Sequence, residues 1–207
     1  GNDLLFDESL CDQGKSFSNK IWNSLKLIKG WEVVDTNQPD YCSFTIDWYN
    51  QKFNSVLNTI NDHFSKFRIS DALMCIYKLI WDDFCSVLLE IIKPQYGQPI
   101  DEKTHRDLIK IFEKNLIILH PFMPFITEEI WHLIAKRKSE EAIIISSWPE
   151  FDTKLPIEII NDFEVLQNII SGIRNIRKTY QISFKESLNL SVVNNDNFSK
   201  NYDSIIK

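Results

Sequence analysis

Glycine and proline are scarce in this sequence of 207 residues, which contains only 5 of the first and 7 of the second. A loop-rich fold or an all-β fold needs more of these turn-forming residues, so both are disfavoured. Hydrophobic residues make up 43% of the chain, which is enough for a sizeable core. The length suits one large helical domain with a small additional element.

Cysteine pairs and long apolar runs are also missing. No two of the four cysteines (Cys11, Cys42, Cys75 and Cys85) stand in a C-x-x-C pair, so the sequence predicts reduced thiols and no metal site. No apolar run approaches the ~20 residues that a membrane-spanning helix needs. The opening residues lack the basic and apolar segments of a signal peptide. We therefore expect a cytoplasmic protein without a membrane partner.

Acidic residues outnumber basic ones, so the net charge is -6. A protein that coats nucleic acid through bulk electrostatics is excluded by this balance. Any contact with RNA must come from a local basic face.

Catalytic signatures are absent as well. The sequence has no glycine-rich phosphate loop, no G-x-S-x-G and no H-E-x-x-H, and its four histidines are scattered. Its acidic pairs are sequence neighbours that point about 100° apart on a helix, so they cannot flank one scissile bond. We predict no catalytic residue and no cofactor in this part of the chain.

Apolar residues at helical spacing predict a mainly α fold, an up-and-down bundle of six helices. The third helix has the clearest pattern, and Ser70 or Asp71 is expected to cap its start. Pro124 suits the first turn of the fifth, which should continue to the basic end 136–138. The predicted ranges are about 13–30, 44–66, 70–91, 101–119, 124–138 and 157–180.

A small α/β appendage is predicted after the bundle. Ile143–Ile145 is short and β-branched, and residues 188–192 alternate between apolar and polar side chains. These two segments are expected to pair as a short two-stranded element. The predicted domains are a bundle over residues 1–138 and an extension over residues 139–207.

The first helix carries the most informative surface. Lys15, Asn19, Trp22 and Lys26 are spaced four, three and four residues apart and share one stripe, with Lys29 near its edge. Residues 13–31 contain four lysines and no acid. Ammonium groups suit phosphates, amides can read base edges, and an indole can stack on an unpaired base. The competing interpretation is a solvated face, with Trp22 packed under a neighbouring helix.

A second basic patch lies near the end of the sixth helix, at Arg174, Arg177 and Lys178. Arg177 falls close to the apolar stripe of its helix, so a buried or interfacial ion pair competes with an RNA contact there. With this patch included, the candidate RNA-binding residues are Lys15, Asn19, Trp22, Asn23, Lys26, Lys29, Arg174 and Lys178.

Several segments resemble the valyl branch of the class I aminoacyl-tRNA synthetases. They occur in the same order as in that branch, and the resemblance covers nearly the whole chain. The most specific is the His-Pro-Phe-Met-Pro-Phe run within residues 119–131, and the Asn-Lys-Ile-Trp-Asn opening also fits this branch best. The matching segments are 14–23, 81–85, 89–94, 119–131, 148–149 and 173–177. Isoleucyl, leucyl and methionyl enzymes share the helical domain.

The resemblance implies an anticodon-binding helical bundle that recognises the anticodon stem-loop of tRNA(Val). The intact enzyme would be a monomer that attaches valine to its tRNA with ATP and Mg²⁺, and this fragment would pack with the catalytic domain of the same polypeptide. Two alternatives stay open: the same domain of an isoleucyl enzyme, and a helical protein–protein module without an RNA role.

The sequence departs from the family pattern in several ways. The HIGH and KMSKS signatures, the editing domain and the C-terminal coiled-coil arm are missing, so the fragment itself is expected to be non-catalytic. Position 15 is Lys where the family leads us to expect Arg, which keeps the charge but loses the bidentate fork. Ser86 and Val87 stand where the family often has aromatic residues.

Overall fold

The computed structural model of the chain describes residues 8–151 and 158–183, together with 186, 189 and 205. Helices dominate these residues, as the apolar spacing predicts. The helices and strands, in chain order, are α1 (Glu8–Lys29), β1 (Val33–Val34), α2 (Asp40–Ser65), α3 (Ile69–Lys78), a π-helical segment (Leu79–Leu88), α4 (Leu89–Ile92), β2 (Ile100–Asp101), α5 (Glu102–Leu119), α6 (Pro124–Ile134), a 3-10 turn (Ile143–Ile145) and α7 (Glu158–Thr179).

With the continuous stretch from α3 to α4 taken as one helix, the helices from α1 to α6 pack alongside one another, which confirms the predicted mainly α bundle. β1 and β2 pair in parallel at one end, called here the sheet end. The turn between α2 and α3 lies at the opposite end, called the hairpin end. α5 returns to the hairpin end, where the stack of Phe64 on Phe122 joins the end of α2 to the turn after α5.

Large aromatic side chains fill the centre of the bundle. Trp48, Tyr49, Phe84, Phe112 and Phe163 are all buried almost completely. The Trp48 and Phe163 rings stack with their centroids 3.9 Å apart, so α7 packs on α2 in the same core. The predicted boundary between residues 138 and 139 stays a prediction, although Phe163 and Trp48 lie on opposite sides of it.

The predicted third helix is one continuous rod formed by α3, the π-helical segment and α4. Its middle, Leu79–Leu88, is π-helical rather than α-helical. The Ser86 hydroxyl donates to the carbonyl of Trp81, five residues earlier, at 2.8 Å. That bond shares the five-residue spacing that defines a π-helix, so the Ser86 side chain supports the local backbone pattern.

The small sheet is not where the sequence predicts it. Ile143–Ile145 forms a 3-10 turn, because the Ser146 amide donates back to the Ile143 carbonyl at 3.0 Å. The Ile143 amide is also taken, by the carboxylate of Glu128 at 3.2 Å. The two strands observed are β1 and β2 at the sheet end, and residues 188–192 lie, apart from 189, outside the described residues.

Helix ends agree with the sequence in some places and not in others. The fourth predicted helix starts close to residue 101 as expected, where Asp101 caps α5 by accepting from the Thr104 amide at 2.8 Å, and Pro124 opens α6. The prediction that Ser70 or Asp71 caps α3 is wrong, since α3 begins at Ile69. The basic run 136–138 lies beyond the end of α6, because Arg137 folds back to stack on the Trp131 ring at 3.7 Å and to pair with Glu113.

Candidate nucleic-acid interface

The helix α1 has two chemically distinct faces. Its inner face buries Phe17, Ile21, Leu25 and Ile28 in the core, at the spacing of an amphipathic helix. Its outer face carries mainly polar and basic side chains, with Leu10 and Leu27 also exposed, and no acidic residue after Asp12. The apolar stripe therefore fixes which side chains of α1 are turned towards solvent.

Four of the predicted residues lie exposed on this outer face: Lys15, Asn19, Asn23 and Lys26. Within the described part of the chain, their side chains have neither a hydrogen-bond nor an ion-pair partner. Two ammonium groups and two amide groups are thus free to meet a ligand. We call these four residues the α1 face.

Trp22 and Lys29 occupy more constrained positions. Trp22 is half-buried and packs against the core, so part of its ring supports α1 and part stays accessible. The Lys29 ammonium donates to the carbonyl of Leu133 in α6 at 2.8 Å. A lysine that already satisfies a backbone carbonyl is less available for a phosphate than Lys15 or Lys26.

Lys20 was not selected from the sequence, yet it joins α1 to the π-helical segment. Its ammonium donates to the Ser86 hydroxyl at 2.8 Å and lies 4.1 Å from the centre of the Trp81 ring. One turn on, the Ser24 hydroxyl lies 3.3 Å from the Cys85 sulfur. These contacts fix the position of α1, and therefore the direction in which the α1 face points.

The second predicted patch lies on α7. Arg174 and Lys178 are exposed, and neither forms an ion pair or a hydrogen bond among the described residues. Arg177 donates to the carbonyls of Ser183, at 2.6 Å, and Glu186, at 2.9 Å, so it holds the chain after α7.

Arg174 borders a cleft of about 340 Å³ between α7 and the helix opposite. Ser86 and Glu90 line the other side of this cleft. Since Ser86 also binds Lys20, the π-helical segment lies between the α1 face and the α7 patch. The structure therefore places the two predicted patches on either side of one helix.

Histidines and cysteines form no catalytic arrangement in the described part of the chain. His105 and His120 interact with the Ile28 carbonyl and the Thr127 hydroxyl, and His132 with Glu128 in its own helix. Among the residues described, no group of three or more His, Cys, Asp or Glu side chains could hold a metal ion. In the same residues, no helix is both long enough and apolar enough to cross a membrane.

Two titratable groups of the π-helical segment have raised pKa values, the buried Cys85 and the half-buried Asp83. Burial raises the pKa of the Cys85 thiol, although the Ser24 hydrogen bond and the Lys20 charge lower it in part. Burial likewise raises the pKa of Asp83 to about 6, against the opposing charge of Lys52. Cys85 contacts Ser24 of α1 and Asp83 interacts with the charge of Lys52 of α2, so both groups belong to the packing of the π-helical segment.

The bundle matches a known protein family. The family described as the anticodon-binding domain of tRNA ligase matches residues 47–193, which is more than half of the chain. The chain belongs to this family. The matched residues begin within α2 and run through α7, and α1 with its basic face lies wholly before them.

Curated relatives of this anticodon-binding domain carry the name valine–tRNA ligase. The enzyme of Christiangramia forsetii is 53% identical over 210 residues, which cover 100% of this chain and 24% of the relative. That of Phocaeicola vulgatus is 47% identical over 193 residues, covering 93% of the chain and 22% of the relative. That of Chlorobaculum tepidum is 30% identical over 200 residues. The chain therefore spans about a quarter of the length of the curated relatives it matches.

Proposed function

We propose that this domain binds the anticodon stem-loop of tRNA(Val) as part of a valine–tRNA ligase. The observation that carries the proposal is the α1 face, where Lys15, Asn19, Asn23 and Lys26 are exposed and unpartnered among the described residues. The family supplies tRNA as the ligand class, and the relatives' names favour valine over isoleucine. A protein–protein module without an RNA role gives no reason for the unpartnered lysines and amides of the α1 face.

The chemistry of the α1 face suits a single-stranded loop. Lys15 and Lys26 lie three turns apart on one helix, about 16 Å at 1.5 Å per residue, so each can meet a different phosphate. Asn19 and Asn23 lie between them, and each amide can donate to and accept from a base edge. The accessible part of Trp22 offers a surface on which an unpaired base can stack.

The α7 patch extends this interface in the proposal. Arg174 and Lys178 add two charges on the far side of the π-helical segment, where the phosphates of the stem can approach. The chain as a whole carries a net charge of -6, which repels the RNA backbone, so in this proposal binding is confined to these two basic surfaces. Lys29 is assigned a supporting role, because its ammonium already holds the Leu133 carbonyl.

The remaining functions of the enzyme belong, in this proposal, to the polypeptide outside these residues. Activation of valine with ATP and Mg²⁺ is assigned to a catalytic domain that the described residues do not contain. The whole enzyme is proposed to act as a cytoplasmic monomer. The contribution of this domain is to select and orient the tRNA. Its contacts therefore affect the affinity of the enzyme for tRNA and not valine activation.

Aminoacylation by the full-length enzyme tests this division of labour. Lys15→Ala/Lys26→Ala should lower kcat/KM for tRNA(Val) about tenfold or more, mainly through KM for tRNA. Valine-dependent pyrophosphate exchange, which needs no tRNA, should stay unchanged. The matched control Lys66→Ala/Lys110→Ala removes two exposed lysines, one from the turn after α2 and one from α5, and should have little effect. Equal losses in both variants, or charging of tRNA(Ile) instead, would contradict the proposal.

A further inference from the structure

The cleft between α7 and the third helix (the rod of α3, the π-helical segment and α4) has the size and the lining of a ligand pocket. Its volume is about 340 Å³, and small-molecule pockets occupy about 300–1,000 Å³. Val87 and Ile91 on one side, and Phe163 and Ile170 on the other, are buried or half-buried. These apolar walls match the flat faces of an aromatic ring. We call this space the α7 cleft.

Polar side chains accompany the apolar walls of the α7 cleft. Gln167, Asn168 and Ser171 line it from α7, and Ser86 lines it from the third helix. Among the described residues, the side chains of Gln167, Asn168 and Ser171 form no hydrogen bond. An amide both donates and accepts, and a hydroxyl can do either, as the edge of a nucleobase requires. Apolar walls with a few polar groups therefore suit a nucleobase better than an aliphatic ligand.

The charges at the α7 cleft suit the rest of a nucleotide. Arg174 is exposed at the cleft and forms no ion pair in the described part of the chain, so its guanidinium can bind a phosphate. Glu90 lies on the opposite side, but Lys93 pairs with it at 2.5 Å and offsets its negative charge. The Glu90 carboxylate can still accept from the amino group of a base.

The α7 cleft is a neighbour of the α1 face. α1 and the third helix run side by side in the same direction, because Phe17 packs on Tyr77 and Ser24 contacts Cys85 further along both helices. The residues of the third helix that line the cleft follow directly after Cys85. Lys26, two residues after Ser24, is therefore level with the cleft. The two surfaces lie on either side of one helix.

We propose that the α7 cleft binds one unpaired nucleotide of the tRNA, in the loop between the anticodon and the stem. This inference rests on the proposed function, in which the α1 face meets the anticodon and the cations of α7 meet the stem. The nucleotide between these two parts of the RNA reaches the cleft between the two protein surfaces. Its base lies between the apolar walls, its edge meets the amides of α7, and its phosphate meets Arg174.

Blocking the cleft in the full-length enzyme tests the proposal. Ser171→Phe places a ring in the cleft without changing the charge, and Val165→Phe, at an exposed position of α7 outside the cleft, is the matched control. We expect Ser171→Phe to raise the Kd for tRNA(Val) about tenfold, the scale of one lost stacked base. The control should leave the Kd unchanged. Chemical probing of the bound tRNA should show one protected loop nucleotide next to the stem, whose protection disappears only in Ser171→Phe.

Asn168→Ala provides a second test that adds no bulk to α7. It removes an exposed amide from the cleft, so it applies even where the ring of Ser171→Phe disturbs the helix. We expect weaker protection of the same loop nucleotide and an unchanged free energy of unfolding in urea.

Three results would overturn the inference. These are an unchanged Kd and full protection in both cleft variants, equal losses in Ser171→Phe and Val165→Phe, and no protected nucleotide between the anticodon and the stem in the parent complex. If Lys15→Ala/Lys26→Ala still weakens tRNA binding in any of these cases, only the cleft inference fails and the proposed function stands. A parent enzyme that does not bind tRNA(Val) would contradict both.

Discussion

The Lys20 ammonium on α1 donates a hydrogen bond of 2.8 Å to the Ser86 hydroxyl on the π-helical segment. That hydroxyl in turn donates to the Trp81 carbonyl, at 2.8 Å, and the ammonium lies over the Trp81 ring. A single serine thus connects the backbone of one helix to the side chain of another. Lys20 therefore has a different role from Lys15 and Lys26. Its ammonium fixes the position of α1, whereas theirs are available for a ligand.

Lys20→Met should therefore reduce stability where a substitution on the α1 face does not. Methionine keeps the apolar stem but removes the charged hydrogen bond and the contact with the Trp81 ring, a loss of about 1–2 kcal/mol. Urea unfolding of the chain measures the effect, and Lys26→Met is the matched control with no expected change. Equal free energies of unfolding for the two variants would show that Lys20 does not fix α1.

Asp83 should make the stability depend on pH. Burial raises its folded pKa to about 6, well above the ordinary value of an aspartate carboxyl, so the folded state holds its proton more tightly. The folded state is therefore favoured at low pH, and this advantage is lost as the pH rises from about 4 to about 6. This rise in the pKa corresponds to at most about 3 kcal/mol, and to about 1–2 kcal/mol after allowance for partial exposure.

Asp83→Asn tests this pH dependence, because asparagine stays neutral throughout. We expect the variant to be more stable than the parent at pH 8 and nearly equal to it at pH 4, as measured by chemical unfolding at both pH values. Asp82→Asn, at the exposed neighbour, should show a much smaller difference. A gap for Asp83→Asn that is independent of pH would rule out titration of this carboxyl as the cause.

Phe163→Ala should destabilise the whole bundle. Phe163 is fully buried, stacks on Trp48 and lies 5.9 Å from Phe44, so its removal leaves a cavity between α7 and α2. We expect a loss of about 3–5 kcal/mol in a single unfolding transition. Val165→Ala, on the exposed side of α7, is the control. Separate melting of α7 before the rest would instead support independent units on either side of residue 138.

The cysteines should differ in reactivity according to their burial. Cys11 is exposed, while Cys85 is buried and burial raises its pKa, so less of it is thiolate at pH 8. We expect an alkylating reagent to label Cys11 first and Cys85 only after unfolding, as followed by mass spectrometry of the peptides. Rapid labelling of Cys85 in the folded chain would contradict the packing of α1 on the π-helical segment.

The fold could be predicted from the sequence wherever the apolar spacing is long and regular. The predicted helices that correspond to α1, α2, α5 and α7 are present in the structure, because one apolar stripe of each faces the core. The strand prediction at Ile143–Ile145 was wrong because β-branched residues indicate only a local preference for extended backbone. Ser146 and Glu128 satisfy that backbone as a turn, and Glu128 is supplied from another part of the chain.

Other features leave no readable pattern in the sequence. β1 and β2 have two residues each, too few for any alternation, and they pair across 67 positions. The π-helical segment keeps the same apolar residues inward as an α-helix would, so the spacing does not distinguish the two. Lys20 resembles the other lysines of α1, because its partner Ser86 lies 66 residues away. The exposed residues of the α1 face, in contrast, follow directly from the apolar stripe.

Titration of the chain with a valine anticodon stem-loop is the most direct test of the central claim, that the α1 face binds the anticodon. A stem-loop with a changed anticodon, and the Lys15→Ala/Lys26→Ala and Lys66→Ala/Lys110→Ala variants, are compared at two salt concentrations. We predict preferential binding that weakens steeply with salt, falls about tenfold or more in the first variant and is little changed in the second. Binding that ignores the anticodon, is insensitive to salt or survives Lys15→Ala/Lys26→Ala would contradict the account.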